Sequence, residues 1–375
     1  MVNQQRVWKE FVELVTIPCS TKNERQIADL LKAKLTALGC TVTEDNVGDK
    51  IGGNTGNLYG YLKGNKPNAP VVMFGCHMDC VEPCTGIKPQ RHDGLITSDG
   101  TTILGSDDKA GVVGILEALR LLKEEKADHG DVQIVFTVSE EGGLSGSKNM
   151  DAANLRADIG YELDASGDPG GIITMAPGQC KVNITVEGRA AHAGLAPEEG
   201  VNALTIAGKA LAIVPDGRID EETTANVALI HGGIATNIVT DKVEITGEAR
   251  SRNLDKLAKL TATIKETYER VAAENGGKAS VQIVKAYEPF VLAEDSTTVS
   301  VAKEAMKAAG LTPVVTATGG GSDANFYNSY GVATAVVAVG MSKVHTKEEF
   351  IKEEHLYQVP QLVLEIIKAA AKQHK

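Results

Sequence analysis

The side chains able to do chemistry in this chain gather where apolar runs stop. Pro70 opens a continuous apolar stretch, residues 71–81, that carries His77-Met78-Asp79. A run of this kind reads as a buried parallel strand, which sets His77 and Asp79 at its carboxyl end, where open α/β sheets build their sites. Further on, Gly105-Ser106 leads into Asp107-Asp108 at the mouth of a helix expected over 112–123. Two carboxylates there have an ordinary use, since they accept free N–H groups and suit the helix dipole. Their place after a glycine turn and downstream of a strand-end histidine gives them a second one. Residues 131–138 end in Ser139-Glu140-Glu141-Gly142-Gly143, residues 158–163 end in Asp164, and a buried strand expected over 332–339 leads through Gly340 to His345.

Strand ends of one parallel sheet present their side chains at one rim, and this set has the composition that a pair of divalent cations needs. Two ions about 3.5 to 4 Å apart take a shared carboxylate and, on each side, an imidazole and a further carboxylate, with open positions left for water. His77 and His345 are the imidazoles in such a setting; nothing in the pattern recommends His92, His129, His231, His355 or His374. Cys76, Cys80 and Cys84 fall at even spacing around His77, but that spacing matches no zinc motif. In a chain of this size with six cysteines and no secretion signal, they are expected to be small, buried and reduced. The glycine loop Gly319-Gly320-Gly321 lacks the phosphate-binding fingerprints of nucleotide proteins.

The elements that must position these groups follow from periodicity. A helix is expected over Gln4–Val15, and a second after Ser20-Thr21, with Glu24 placed for a capping box and Gly39 as the stop. Beyond Gly178 the pattern changes to alternating strands (179–189, 226–230, 242–250, 280–287) with helices over 201–213 and 254–274. This reads as a smaller two-layer α/β unit inserted into the first domain. The expected division is a discontinuous domain of residues 1–178 and 289–375 and an inserted one of 179–288. His192, in Ala191-His192-Ala193-Gly194, belongs to the insertion.

With 375 residues and 42% hydrophobic side chains, the chain can support two cores. Its net charge of -11 argues against nucleic acid or an anionic membrane surface as a partner and tolerates cations. No apolar run is long enough to span a bilayer, and the first residues lack the apolar core of a secretion signal, so a cytoplasmic protein is expected.

Taken in order, HMDCV, LGSDDKAG, SEEGG, YELD, GRAAHAGLAPEEGVNA, ATNIV, GEARS and MSKVHTKEEF resemble the family of co-catalytic zinc exopeptidases that contains carboxypeptidase G, aminoacylase and peptidase T. The SDDKAG, EEGG and HTKEEF forms are most similar to the peptidase T, or tripeptide aminopeptidase, branch. The resemblance implies an α/β fold, a mixed sheet flanked by helices with an inserted lid of the dimerisation type. It implies two zinc ions per chain, although cobalt and manganese suit the same donors. His77 and Asp164 would bind one ion, Glu141 and His345 the other, and Asp107 both. Asp79 would orient His77 from behind, and Glu140 would be the general base. A cis peptide would join Asp107 and Asp108. His192 would stabilise the oxyanion, and Asn237 and Arg250 would bind substrate. The implied activity is removal of the N-terminal residue from short peptides. Carboxypeptidase or N-acyl-amino-acid deacylase activity at the same site, and a non-catalytic binder of metal or peptide, are the alternatives. Both a monomer and a homodimer formed through the insertion occur in such families.

Overall fold

The computed structural model describes residues 1–374 and divides into two units. The first comprises Met1–Thr174, Leu292–Ala317 and Ser322–Lys375, and the second Met175–Val291 with Thr318–Gly321. The sequence expectation differs by a few residues at each crossing, and in assigning the glycine loop to the larger part. The loop goes with the second unit for a physical reason: the Thr318 N–H donates to the Met175 carbonyl at 2.9 Å, and Gly321 lies so close to the Tyr287 ring that an added Cβ would stand 2.5 Å from it.

In the first unit a mixed sheet forms the centre. Its strands are β1 (Thr41–Glu44), β2 (Leu58–Leu62), β3 (Val72–His77), β4 (Val132–Thr137), β5 (Ile159–Ala165), β6 (Gly171–Ala176), β7 (Val314–Ala317) and β8 (Ala333–Ala338). They run in the order β1-β2-β4-β3-β5-β8-β6, with β7 alongside β6. The four central strands, β4, β3, β5 and β8, are mutually parallel, and β2 is antiparallel to β4. Every residue of β3 and β4 is buried, as expected of parallel strands covered on both faces. The carboxyl ends of all four central strands therefore fall along one rim.

Helices flank this sheet. α1 (Gln4–Val15), α2 (Arg25–Ala37), α3 (Ser106–Glu125), α4 (Thr297–Ala308) and α5 (Glu353–Ala370) share one core with it. Of the 20 residues of α3, only Arg120 and the last three, Lys123, Glu124 and Glu125, escape burial, so it is an interior helix. Gly114 lets it approach α5, since a Cβ there would meet Val359 at 2.4 Å. α3 begins at Ser106, earlier than periodicity alone suggests, but Asp107 and Asp108 have non-helical backbones and the bond between them is cis. The expected capping box did not form. Asn54 Oδ1 accepts the Arg25 N–H at 2.9 Å, and Glu24 Oε1 is shared between the N–H of Lys22 at 2.9 Å and the N–H of Ser139 at 3.0 Å. Short strands at Gln90–His92, Leu95–Thr97, Met341–Ser342 and Phe350–Lys352 form a small second sheet with no signature in the sequence.

The second unit has a five-stranded antiparallel sheet in the order 217–218, 223–232, 242–251, 178–187, 278–287. Alternation along Gly178–Glu187 and Lys242–Ser251 buries one face. That face holds Val182, Ile184, Val243 and Ile245 in one core with Ile206 of the helix Ala203–Leu211 and with Leu257, Ile264 and Tyr268 of the helix Leu254–Glu274. Phe290–Val291 pairs with Met175 and Ala176. Among the described residues no helix is long and apolar enough to cross a membrane.

Candidate active site

The rim of the parallel strands brings His77, Asp79, Asp107, Glu140, Glu141, Asp164 and His345 together. His77 is the last residue of β3, Asp164 the next-to-last of β5, Glu140 and Glu141 follow β4, and His345 follows β8. Gly105, with a φ of +74°, makes the turn that delivers Asp107. Asp107 stands between the two imidazoles: its Oδ1 is 2.9 Å from His77 Nε2, and its Oδ2 is 3.3 Å from His345 Nε2. On the first side, Asp164 Oδ1 lies 3.9 Å from His77 Nε2; on the second, Glu141 Oε1 lies 2.9 Å from His345 Nε2. Ligand atoms of His77, Asp107 and Asp164 lie within 4.8 Å of one another, as do those of Asp107, Glu141 and His345, and those of His77, Glu140 and Glu141. Ser139 and His345 adopt φ values of 52° and 63°, a region that side-chain-bearing residues seldom occupy and that collects at functional sites.

Charge is the dominant feature. Burial first, and then the neighbouring carboxylates, push Asp164 and Glu140 well above the usual carboxylate range. Burial opposes a charged His77, but Asp107, Asp79 and Asp164 overcome it and hold the imidazole well above its ordinary value. Hydrogen bonds to Asp107 and Glu141 raise His345 to about 10. Burial works against the charge of Asp107, yet bonds from His345 and His77 keep its carboxyl well below the usual range. Five carboxylates around two imidazoles demand positive charge, and the donors are imidazole nitrogen and carboxylate oxygen disposed on either side of one shared aspartate. That set fits two divalent cations.

Asp79 does more than sit behind His77. The His77 Nδ1–H donates to the main-chain oxygen of Asp79 at 3.0 Å, and the nearer carboxylate oxygen is 3.4 Å away. The carboxylate itself accepts the N–H of Glu140 at 3.0 Å, the N–H of Glu141 at 3.3 Å and the Thr21 hydroxyl at 2.7 Å. Sequence reasoning also missed Glu349. Its Oε2 accepts the N–H groups of Leu104 and Gly105, both at 2.9 Å, and its Oε1 accepts the Ser106 hydroxyl at 2.6 Å and the Asp107 N–H at 3.1 Å. Burial lifts the Glu349 carboxyl while these donors draw it down. The only signal available was its place in HTKEEF, four residues beyond His345. Asp323, at the end of the glycine loop, was missed too; it accepts the hydroxyls of Thr137 and Ser147, and burial raises it to about 6.

The remaining sequence-predicted groups belong to the second unit. His192 is exposed, and its Nδ1 accepts the N–H groups of Gly194 and Leu195, both at 3.2 Å. A neutral ring so engaged carries its proton on Nε2. The Asn237 carbonyl accepts the Ala193 N–H at 2.9 Å, which sets Asn237 beside the His192 loop. Arg250 is already occupied: Glu248 takes its Nε at 2.8 Å and its Nη2 at 3.1 Å, and the Gly319 carbonyl lies 3.5 Å from Nη1.

Comparison with known proteins bears on this geometry. The family model described as peptidase family M20/M25/M40 matches residues 73–369, a span holding every rim group just described. The chain belongs to peptidase family M20/M25/M40. A relative from Bacillus subtilis, the uncharacterized protein YqjE, is 44% identical over 99% of this chain and 100% of its own. Two solved structures of this family's fold are similar throughout. An aminopeptidase PepT from Bacillus cereus is 46% identical with a TM-score of 0.94, covering 99% of this chain and 100% of the other. A tripeptidase from Staphylococcus aureus is 40% identical with a TM-score of 0.97, covering 100% of both.

Proposed function

We propose that this chain is a zinc-dependent aminopeptidase that removes the N-terminal residue from short peptides, tripeptides foremost. The observation that carries the reading is Asp107 set between two imidazoles, each with its own carboxylate, in a chain similar over its full length to an aminopeptidase and a tripeptidase. His77 and Asp164 would hold one cation, Glu141 and His345 the other, and Asp107 both. When bound, such a pair supplies Lewis acidity at the scissile carbonyl and lowers the pKa of water towards about 7. Glu140, whose proton affinity burial raises, takes the proton of the attacking water and returns it to the leaving amine. Asp79 holds the main chain of Glu140 and Glu141 in register with His77.

We read the first unit as the catalytic domain and the second as its inserted lid. The Nε2–H of His192 suits stabilisation of an oxyanion, and Asn237 would contribute beside it. Arg250 would take the peptide carboxylate in competition with Glu248. The strand Thr223–Gly232 leaves Leu229 and Ile230 exposed, which favours a homodimer formed by this unit; light scattering over a range of concentrations tests it. Six free, buried cysteines suit a reducing cytoplasm.

The deciding assay compares a tripeptide, its N-acetyl form and its C-terminal amide with enzyme of known metal content. The aminopeptidase reading expects cleavage of the free peptide and the amide and none of the acetylated form. Retained cleavage of the acetylated peptide would instead support a carboxypeptidase or deacylase. Chelation should remove activity, and added zinc should restore it.

A further inference from the structure

The first unit buries two thiols and an ammonium directly behind the shelf that carries His77 and Asp107. Cys19 lies on the connection between α1 and α2, and its carbonyl accepts the Cys80 N–H at 2.9 Å, so the two cysteines stand on adjoining backbones. The Cys19 thiol donates to Cys80 Sγ across 3.8 Å, and the Cys80 thiol donates to the Asp107 carbonyl at 3.5 Å. Lys109, with no exposed surface, donates from Nζ to Cys80 Sγ at 3.3 Å and to the Asp79 carbonyl at 3.3 Å. That carbonyl is the one His77 Nδ1 also uses. An ammonium is costly to bury, and an apolar side chain in its place would fill this space without that penalty. The cluster therefore has a chemistry beyond filling volume.

We propose that Cys19 and Cys80 are a redox pair that low-molecular-weight disulfides, such as glutathione disulfide, convert reversibly into a cross-link that slows the enzyme. Because both thiols are buried, the attack requires the connection between α1 and α2 to open; one protein thiolate then attacks glutathione disulfide and releases one glutathione thiol. The second protein thiolate then displaces the other glutathione, and the bond between the two Sγ atoms forms. Two protein thiols are oxidised, one glutathione disulfide is reduced to two thiols, and the two protons pass to glutathione. The sulfurs must close from 3.8 Å to about 2.05 Å. Cys80 then has no S–H to give the Asp107 carbonyl, and Lys109 keeps a weaker acceptor. Both changes fall on the main chain that fixes Asp107 and His77. The cross-link stands apart from the peptidase reading; the loss of turnover rests on it.

The test equilibrates metal-loaded, full-length enzyme in glutathione buffers of rising disulfide content. Samples are quenched with N-ethylmaleimide, mapped as non-reduced peptides and assayed in parallel for tripeptide hydrolysis. The expected result is a Cys19–Cys80 peptide whose accumulation tracks a fall in kcat of about tenfold or more, both reversed by dithiothreitol. Cys19→Ser and Cys19→Ala should match the reduced enzyme and resist oxidation. Alkylated Cys19 and Cys80 at every ratio would overturn the pair, as would equal inactivation of both Cys19 variants. A complete cross-link with unchanged turnover would overturn the coupling. Reduced, metal-loaded enzyme that cleaves no tripeptide would count against the peptidase reading alone, because the peptide map still decides the pair.

Discussion

Replacing Glu349 by Gln tests whether the shared aspartate is held from outside the centre. The carboxylate accepts four donors, two on each oxygen, from the loop 104–107 that presents Asp107. Glutamine has the same shape but keeps one acceptor oxygen and sets an NH2 group against the other two donors. Bonds to a buried charged acceptor are worth about 1.5–3 kcal/mol each, so roughly 3–6 kcal/mol of preference for this loop conformation is lost before relaxation. The loop can escape donor facing donor by shifting, and Asp107 moves with it. A misplacement of about 1 Å at reacting groups costs about 100-fold. The expected result is therefore a kcat lower by about 30- to 100-fold, equivalent to about 2–2.7 kcal/mol. KM for a tripeptide should stay within about threefold, and zinc should be retained less tightly on dialysis against a weak chelator. Steady-state kinetics, metal analysis and a thermal melt on the same preparation separate this from general destabilisation. A kcat within about twofold of wild type, or a lowered melting temperature with unchanged kcat and metal retention, would refute the positioning role.

Glu140→Gln should leave zinc stoichiometry and circular dichroism unchanged while lowering kcat by about 1,000-fold or more; persistent turnover would remove Glu140 as the base. Glu248→Gln releases Arg250, so KM for peptides with a free carboxylate should fall severalfold while that for C-terminal amides stays constant; equal effects on both would show that Arg250 does not read the carboxylate. Acid stability has an identifiable contributor in Glu44. Burial opposes its charge, but Arg25, Thr55 and the Gly56 N–H hold it down from the ordinary 4.5 to about 2. A carboxyl depressed by folding stabilises fully above about 4.5 and loses that contribution as the pH falls through about 2. The gap in urea stability between wild type and Glu44→Gln should thus narrow by about half a kcal/mol from pH 6 to pH 4, with allowance for solvent screening. A constant gap would assign Glu44 no role in acid sensitivity.

What could be read from the sequence, and what could not, divides by the range of the interaction. His77, Glu140, Glu141, Asp164 and His345 were visible because each stands at or just beyond the end of an expected strand, and the ends of parallel strands share a rim. The central sheet flanked by helices was legible for the same reason. Glu349 was not, because its partners lie more than 240 residues away and no local pattern encodes them. Glu24 misled in another way: its local spacing suits a capping box, but its Oε1 is shared between the N–H of Lys22 and that of Ser139, far along the chain. The strands Gln90–His92 and Met341–Ser342 are too short to show any alternation. Arg250 has a side chain suited to a carboxylate, and only the folded chain reveals that Glu248 already occupies it.

The grip of Asp79 on the N–H groups of both Glu140 and Glu141 makes neighbours of two functions that chemistry treats as distinct. The residue that would move protons and the residue that would coordinate a cation hang from one anchor. Evolution or a protein engineer cannot retune the basicity of one by shifting its backbone without also changing the bite of the other. Variation in rate among natural relatives should accordingly be sought in the surroundings of the loop 139–143, where side chains can change while the anchor stays put.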